Sequence, residues 1–196
     1  YSRSPKAFKL FAKDDSIKTA EDLKGKKVAG PKGTILHELL VSYLNNAGMT
    51  EDDIEFMAMG IPDAHAALLA GPTAYNMEKD GFYIVTDGEG LTEATIVTAT
   101  SEKFYEEHPE LVKAFLTAQK QVLDEMDADH AAAVSATAKA TGLEEAAVEE
   151  MYGLYDFDME IKDSDIEAME KTEKFMEDTG MIENPVDVAS LILDVE

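Results

Sequence analysis

The sequence predicts an α/β fold: a parallel sheet of βαβ units in the first half of the chain, then a helical second half. Three observations carry this. Short apolar runs alternate with helix-spaced segments between residues 26 and 87, an order that suits parallel strands because they need crossover connections. The stretch VAGPKGTILHELLVSYLNNAG (28–48) contains one such unit entire, as buried strand, tight turn and amphipathic helix. From residue 101 onward the periodic segments have helical spacing.

Taken in order, AFKLFA (7–12) alternates as a strand, and TAEDLKG follows as a short helix with Thr19 as N-cap and Gly25 as stop. KKVAG is a buried strand. In the next helix Ile35, Leu36, Leu39, Leu40, Tyr43 and Leu44 share one face, and Gly48 supplies a left-handed C-terminal cap. DIEFMAM (53–59) reads as a strand, DAHAALLAG (63–71) as a short helix or a strand, and GFYIVTD (81–87) as a strand. After the turn DGEG comes ATIVTA (94–99), β-branched and extended, expected beside AFKLFA as an antiparallel crossover pair. Four helices complete the chain: PELVKAFLTAQKQVLDEM, DHAAAVSATAKATG, LEEAAVEEMYGLY and SDIEAMEKTEKFMEDTG. In the last, Ser164 and Glu167 form a capping box and Gly180 is the stop.

A chain of 196 residues with 45% hydrophobic content can bury a core as one large domain or two small lobes. Its net charge is −24, unevenly spread. Residues 1–48 carry nine Lys/Arg against five Asp/Glu, a net of +4, so the remainder carries −28. An acidic surface of this kind argues against non-specific nucleic-acid binding and against docking on anionic lipid. With no cysteine there is no disulfide framework, thiolate nucleophile or cysteine zinc site. No window approaches a membrane span, and YSRSPKAFKL lacks the features of a signal peptide, so targeting was removed or never existed.

The strongest chemical feature is Pro31-Lys32-Gly33-Thr34 ahead of the Ile35 helix. Gly33 permits close backbone approach and Thr34 can cap. The freed first-turn amides and the helix dipole favour an anion there. An ordinary strand-to-helix turn is the alternative, and the phosphate-loop spacing is missing. Of four histidines, none stands at ligand spacing with another, which gives no metal cluster; His37 either reaches a ligand from the first helical turn or is a partly exposed helix residue. No nucleophile elbow and no catalytic constellation stands out. In GPTAYNMEKDG (71–81), Pro72, Thr73, Tyr75 and Asn76 offer groups that orient a small ligand, or else mark a helix N-terminus. Residues 143–196, with eighteen Asp/Glu and three Lys, read as a solvated surface or a docking face for a basic partner.

These segments together resemble a known family. IKTAEDLKGKKVAGPKGTILHELLVSYLNNAGMTEDDIEFM is similar to the periplasmic substrate-binding proteins of ABC transporters for nitrate, sulfonate and taurine, a family that includes binders of thiamine-pyrimidine precursors. The likeness resumes at PTAYNMEKDG and continues through VTDGEGL, SEKFYEEHPELVKAFLTA, TGLEEAAVEEMY and PVDVASLI. It implies a type II periplasmic-binding-protein-like α/β fold, two lobes closing over a small ligand that is handed to an ABC permease, in a periplasmic or membrane-anchored extracellular setting. The resemblance implies Gly33, Thr34 and Pro72 as cleft residues; together with the residues read above, the expected ligand-binding set is Lys32, Gly33, Thr34, Ile35 and His37 at the first turn, with Pro72, Thr73, Tyr75 and Asn76 at the second. No catalytic residue, metal or cofactor is implied. Gly71 and Thr73 replace the family's acid and aromatic beside the proline, which leaves room for a differently shaped ligand.

Two departures from the family follow. The chain opens at a segment similar to the family's crossing into the second lobe, so most of the first lobe is missing, by truncation, as a fragment, or in a reduced homologue. DAHAALLAGP is also short against the family's helix-plus-strand passage, so one strand of the sheet is expected to be missing or replaced. The expected division is a crossover strand (1–18), an α/β ligand-binding lobe (19–100) and a helical C-terminal region (101–196). One lobe alone is expected to bind weakly or not at all, and a partner chain, dimer or domain swap to cover its open apolar face. The function expected is capture of a small anion or heterocycle for import. The alternatives are an enzyme on the same fold, of the menaquinone or thiamine-pyrimidine biosynthesis type, and a partner-recognition module.

Overall fold

The computed structural model describes residues 2–58, 64–193 and 195. Its strands are β1 (Ser2–Arg3), β2 (Phe8–Ala12), β3 (Lys27–Gly30), β4 (Glu55–Ala58), β5 (Ala66–Ala70), β6 (Tyr83–Asp87) and β7 (Thr95–Ile96). Helix α1 (Ile35–Asn46) follows β3 and α2 (Gly71–Lys79) follows β5. The second half holds α3 (Glu102–Glu107), α4 (Pro109–Ala128), α5 (His130–Thr141), α6 (Glu145–Tyr152) and α7 (Asp163–Asp178).

A five-stranded sheet has the order β4-β3-β5-β2-β6. Strand β3 is parallel to both β4 and β5, while β2 runs antiparallel to β5 and β6. The sheet is therefore mixed, with β2 the reversed strand. Of the segment read as open between helix and strand, Ala66–Ala70 forms β5 in the middle of the sheet, so the place of the strand expected to be missing is filled. The short stretch is the connection from β4 to β5, of which residues 59–63 lie outside those described.

The predicted crossover pair is not formed by AFKLFA and ATIVTA. Thr95 and Ile96 pair instead with Ser2 and Arg3, because a 3-10 turn at Pro5–Ala7 breaks the entering strand and sends AFKLFA into the sheet. TAEDLKG also tightens to a 3-10 turn at Glu21–Leu23, where the Thr19 backbone N–H and hydroxyl both donate to the Asp22 carboxylate.

The helical face read from the sequence is the one that packs. Leu10 and Leu68 stand opposite each other across β2 and β5 and, with Val28, meet Leu39, Leu40 and Leu44 of α1, all essentially solvent-free. Gly30 ends β3 where a Cβ would lie 2.6 Å from the Leu68 side chain, so a larger residue would force the buried Leu68 to shift. In the second half the core thins to Val134, Ala138 and Val148 with Leu143. Helix α4 has no buried residue, and Leu111, Phe115 and Val122, on one stripe, are about half exposed.

The two halves are pinned together by Arg3. Its backbone pairs with that of Asp156 through bonds of 2.9 and 2.8 Å. Its guanidinium donates to the Asp165 carboxylate, to Asp156 at 3.1 Å and to the Glu160 carbonyl at 2.7 Å. Asp165 also accepts the Lys162 N–H at 2.7 Å. Helix α7 thus has its N-cap at Lys162, two residues before the predicted Ser164, and Asp165, rather than the Ser164/Glu167 pair, accepts the cap N–H.

Candidate functional site

Connections leave β3 and β5 in opposite directions. From β3 the chain passes through α1 to β4 on one side; from β5 it passes through α2 to β6 on the other. Where neighbouring parallel strands diverge in this way, their carboxyl ends leave a crevice, the usual ligand seat of open α/β sheets. The turn 31–34 and the Gly71–Thr73 start of α2 stand on the two sides of that crevice.

The first turn is shaped by Gly33, whose φ of +77° is open to glycine and strained for other residues. Thr34 is extended at the N-cap, but its hydroxyl donates to the Pro31 carbonyl at 2.9 Å instead of capping the helix. Its own carbonyl accepts the N–H groups of His37 and Glu38, the first bonds of the helix. The amides of Ile35 and Leu36, ahead of those bonds, have no carbonyl behind them within the helix. They form the positive end of α1. Gly33 differs: its N–H donates to His37 Nδ1 at 3.3 Å, and Met181 Sδ lies 3.0 Å from where a Cβ would be.

His37 is buried, 1% exposed, where a partly exposed residue or a ligand contact was expected. Because Nδ1 accepts from Gly33, Nε2 is the nitrogen that donates, and it faces the Glu51 carboxylate. The ring stacks on Phe56 at 4.9 Å and meets the Phe175 edge at 5.5 Å. Both ring nitrogens are engaged, so His37 shapes the turn. Lys32 is exposed, 3.8 Å from Glu51.

A cavity of about 260 Å³ opens beside Ile35. Its other walls come from the loop Thr92–Thr95, from α7 and from the tail through Val186. Under it the buried Glu38 carboxylate accepts the Thr172 hydroxyl at 3.1 Å. Burial pushes that carboxyl above the ordinary carboxylate range, and the Thr172 hydroxyl offsets part of the shift. In the loop, Ala94 is buried with φ +47°, and the Thr95 hydroxyl oxygen is buried without a partner.

Of the residues singled out in the sequence, the first group stays together, with Ile35 alone on this cavity. Pro72, Thr73 and Asn76 are exposed on the first turns of α2. Tyr75 faces α6 instead, in a hollow of about 180 Å³ with Glu150, and has the Lys79 ammonium over its ring at 5.0 Å. Sequence reasoning missed the wall supplied by α7 and the tail. The closing segment through PVDVASLI was a visible signal, but nothing local tied it to the Ile35 turn.

The NMT1/THI5-like family model matches residues 1–133, well over half of the chain. The chain belongs to that family. Among curated relatives, the taurine-binding periplasmic protein of Escherichia coli (strain K12) is 30% identical over 113 residues, 51% of this chain and 35% of its own. A second protein of that strain, named for aliphatic sulfonate binding, is 44% identical over 62 residues, 32% of this chain and 19% of its own. The chain thus matches well under two thirds of either relative. The crystal structure of the periplasmic aliphatic sulphonate binding protein SsuA from Escherichia coli superposes with TM-score 0.81 at 20% identity, covering 96% of this chain and 69% of that one. The desulfurization enzyme DSZB, as a mutant complexed with biphenyl-2-sulfinic acid, superposes with TM-score 0.68 at 18% identity, covering 97% and 74%. At such identities the likeness is one of fold. The fold is therefore that of a periplasmic binding protein and is shared with an enzyme, while the sequence relatives are named as binding proteins. Among the described residues no helix is long and apolar enough to cross a membrane.

Proposed function

We propose that the chain forms the ligand-gripping part of a substrate-binding protein of an ABC importer, taking a small anion of the sulfonate, nitrate or taurine class, or a pyrimidine-like heterocycle, outside the cytoplasmic membrane. One observation carries the reading: at the switch point between β3 and β5, the unbonded amides of Ile35 and Leu36 open α1 beside a cavity. A helix N-terminus there supplies fixed positive charge without a cation that an acidic molecule would have to hold. Exposed Lys32 adds to the field, and Pro72 and Thr73 open α2 on the far side of the switch point, off the cavity. Family membership and the names of the relatives agree with this reading. Hydrolytic or transfer chemistry finds less support, since both nitrogens of His37 are engaged with protein groups.

Ile35→Pro tests it. Proline is favoured at the first helical position, and Thr34 already has the extended backbone that a following proline demands, so the variant removes one donor and keeps the helix. Ligand-observed NMR with methanesulfonate, taurine and a pyrimidine, backed by calorimetry with nitrate, is expected to show binding that the variant weakens about tenfold, the cost of one hydrogen bond to a charged group. Binding of no panel member, or equal binding by the variant, overturns the reading.

A further inference from the structure

We infer that the trough between the end of α4 and the connection 152–159 is a second binding site, one that takes a small organic ammonium with a single positive charge and an apolar body. It shares no lining residue with the cavity beside Ile35. Its volume of about 490 Å³ falls within the roughly 300–1,000 Å³ of small-molecule sites.

The floor is aromatic because of an alternation in the chain. From 155 to 160 the exposed Asp156, Asp158 and Glu160 alternate with half-buried Tyr155, Phe157 and Met159. Tyr152, at the end of α6, adds a third ring. The Phe157 ring lies 5.3 Å from that of Tyr152 and is stacked at 5.8 Å on that of Tyr155. These rings are held in place before any ligand arrives, since His130 meets Tyr152 edge-on at 4.5 Å and is itself bonded to the Glu149 carboxylate at 2.8 Å. Leu123 and Met126 of α4 form the facing wall, and the thioethers of Met126 and Met159 adapt to the shape of an occupant. Aromatic faces attract a cation, and they do so more strongly where water is displaced.

Carboxylates alone would mean only an acidic surface, so the balance of charge at the trough matters. Its ionised walls are Lys120 and four aspartates, Asp124, Asp127, Asp156 and Asp158. Lys120 meets Asp124 at 3.3 Å, Arg3 meets Asp156 at 3.1 Å and Lys162 meets Asp158 at 2.7 Å. Asp127 has no ion pair among the described residues. What the trough lacks is one positive charge. An anion would meet four carboxylates, and a neutral ring would leave Asp127 unanswered.

The test is a titration of the 196-residue chain followed by amide NMR shifts, with benzyltrimethylammonium as probe. Benzyl alcohol supplies the ring without the charge, and tetramethylammonium the charge without the ring. Shifts from the probe are expected at 123–127 and 152–159, with affinity about tenfold or more ahead of both controls. Benzenesulfonate is expected to leave these residues unshifted. Phe157→Leu keeps an apolar side chain but removes a ring face, and should weaken the probe about fivefold. Asp127→Asn alters only an exposed charge, should fold as the parent does, and should weaken the probe about threefold. Benzyl alcohol or benzenesulfonate binding here as tightly as the probe, shifts spread over the acidic surface, absence of binding, or full affinity in the folded variants overturns the inference. Because the two sites share no lining residue, any of these results leaves the proposed function standing.

Discussion

His37 shows how a single side chain can look functional in a sequence and be structural in the fold. It sits in the first turn of an anion-site helix, yet its ring is clamped between Phe56 and Phe175, with Gly33 and Glu51 on its nitrogens. His37→Ala should leave a void and free the Gly33 amide, costing about 2 kcal/mol by denaturant unfolding followed by circular dichroism. Glu38 one residue on gives a pH prediction. Burial raises its folded-state affinity for a proton above that of an exposed glutamate, whose ordinary pKa is 4.5. The parent therefore holds its full stability below that value and loses some as pH rises through the folded one. Glu38→Gln escapes this loss: at pH 7 it should melt above the parent, and the gap should close as pH falls to 4.5. An unchanged gap across that range would contradict the burial argument. Neither role was legible locally, because Glu51, Phe175 and Thr172 reach these residues only through tertiary contact.

At the scale of elements, the sequence was most reliable where the deciding interactions are local. The strand, glycine turn and α1 followed from Gly33, Gly48 and the leucine spacing, and the same leucines form the core. Strand partnership was less legible. β-branched and apolar runs announce strands, but partners are chosen across the chain, and the break at Pro5–Ala7 moved the crossover pairing from AFKLFA to Ser2–Arg3. The start of α7 has the same lesson, since Asp165 is set as its cap by an arginine 162 residues away. Arg3→Ala would take the guanidinium from Asp165, whose side chain is 2% exposed, and should cost about 3 kcal/mol, read as a lowered melting temperature. Arg3→Lys should recover little, because a point charge cannot serve Asp165, Asp156 and the Glu160 carbonyl as the planar fork does.

For the whole molecule, the uneven surface matters. Helix α4 buries nothing and leaves Leu111, Phe115 and Val122 half exposed on one stripe, a surface on which the expected partner chain, dimer or domain swap can be tested. Phe115→Glu should leave the melting temperature within about 1 °C, since an exposed side chain contributes little to folding. It should also reduce self-association in sedimentation at high protein concentration; a clear loss of stability would place Phe115 in this chain's own core instead. By itself the sequence determined most of the elements, the turn that opens α1, the acidic balance and the family, because each depends on composition, local backbone preference or a run of adjacent residues. Only the tertiary structure decided that β2 lies reversed inside the sheet, that His37 is sealed, and that α7 and the tail wall the cavity beside Ile35. Those outcomes depend on which distant surfaces exclude water together, and that choice is made by packing the folded chain.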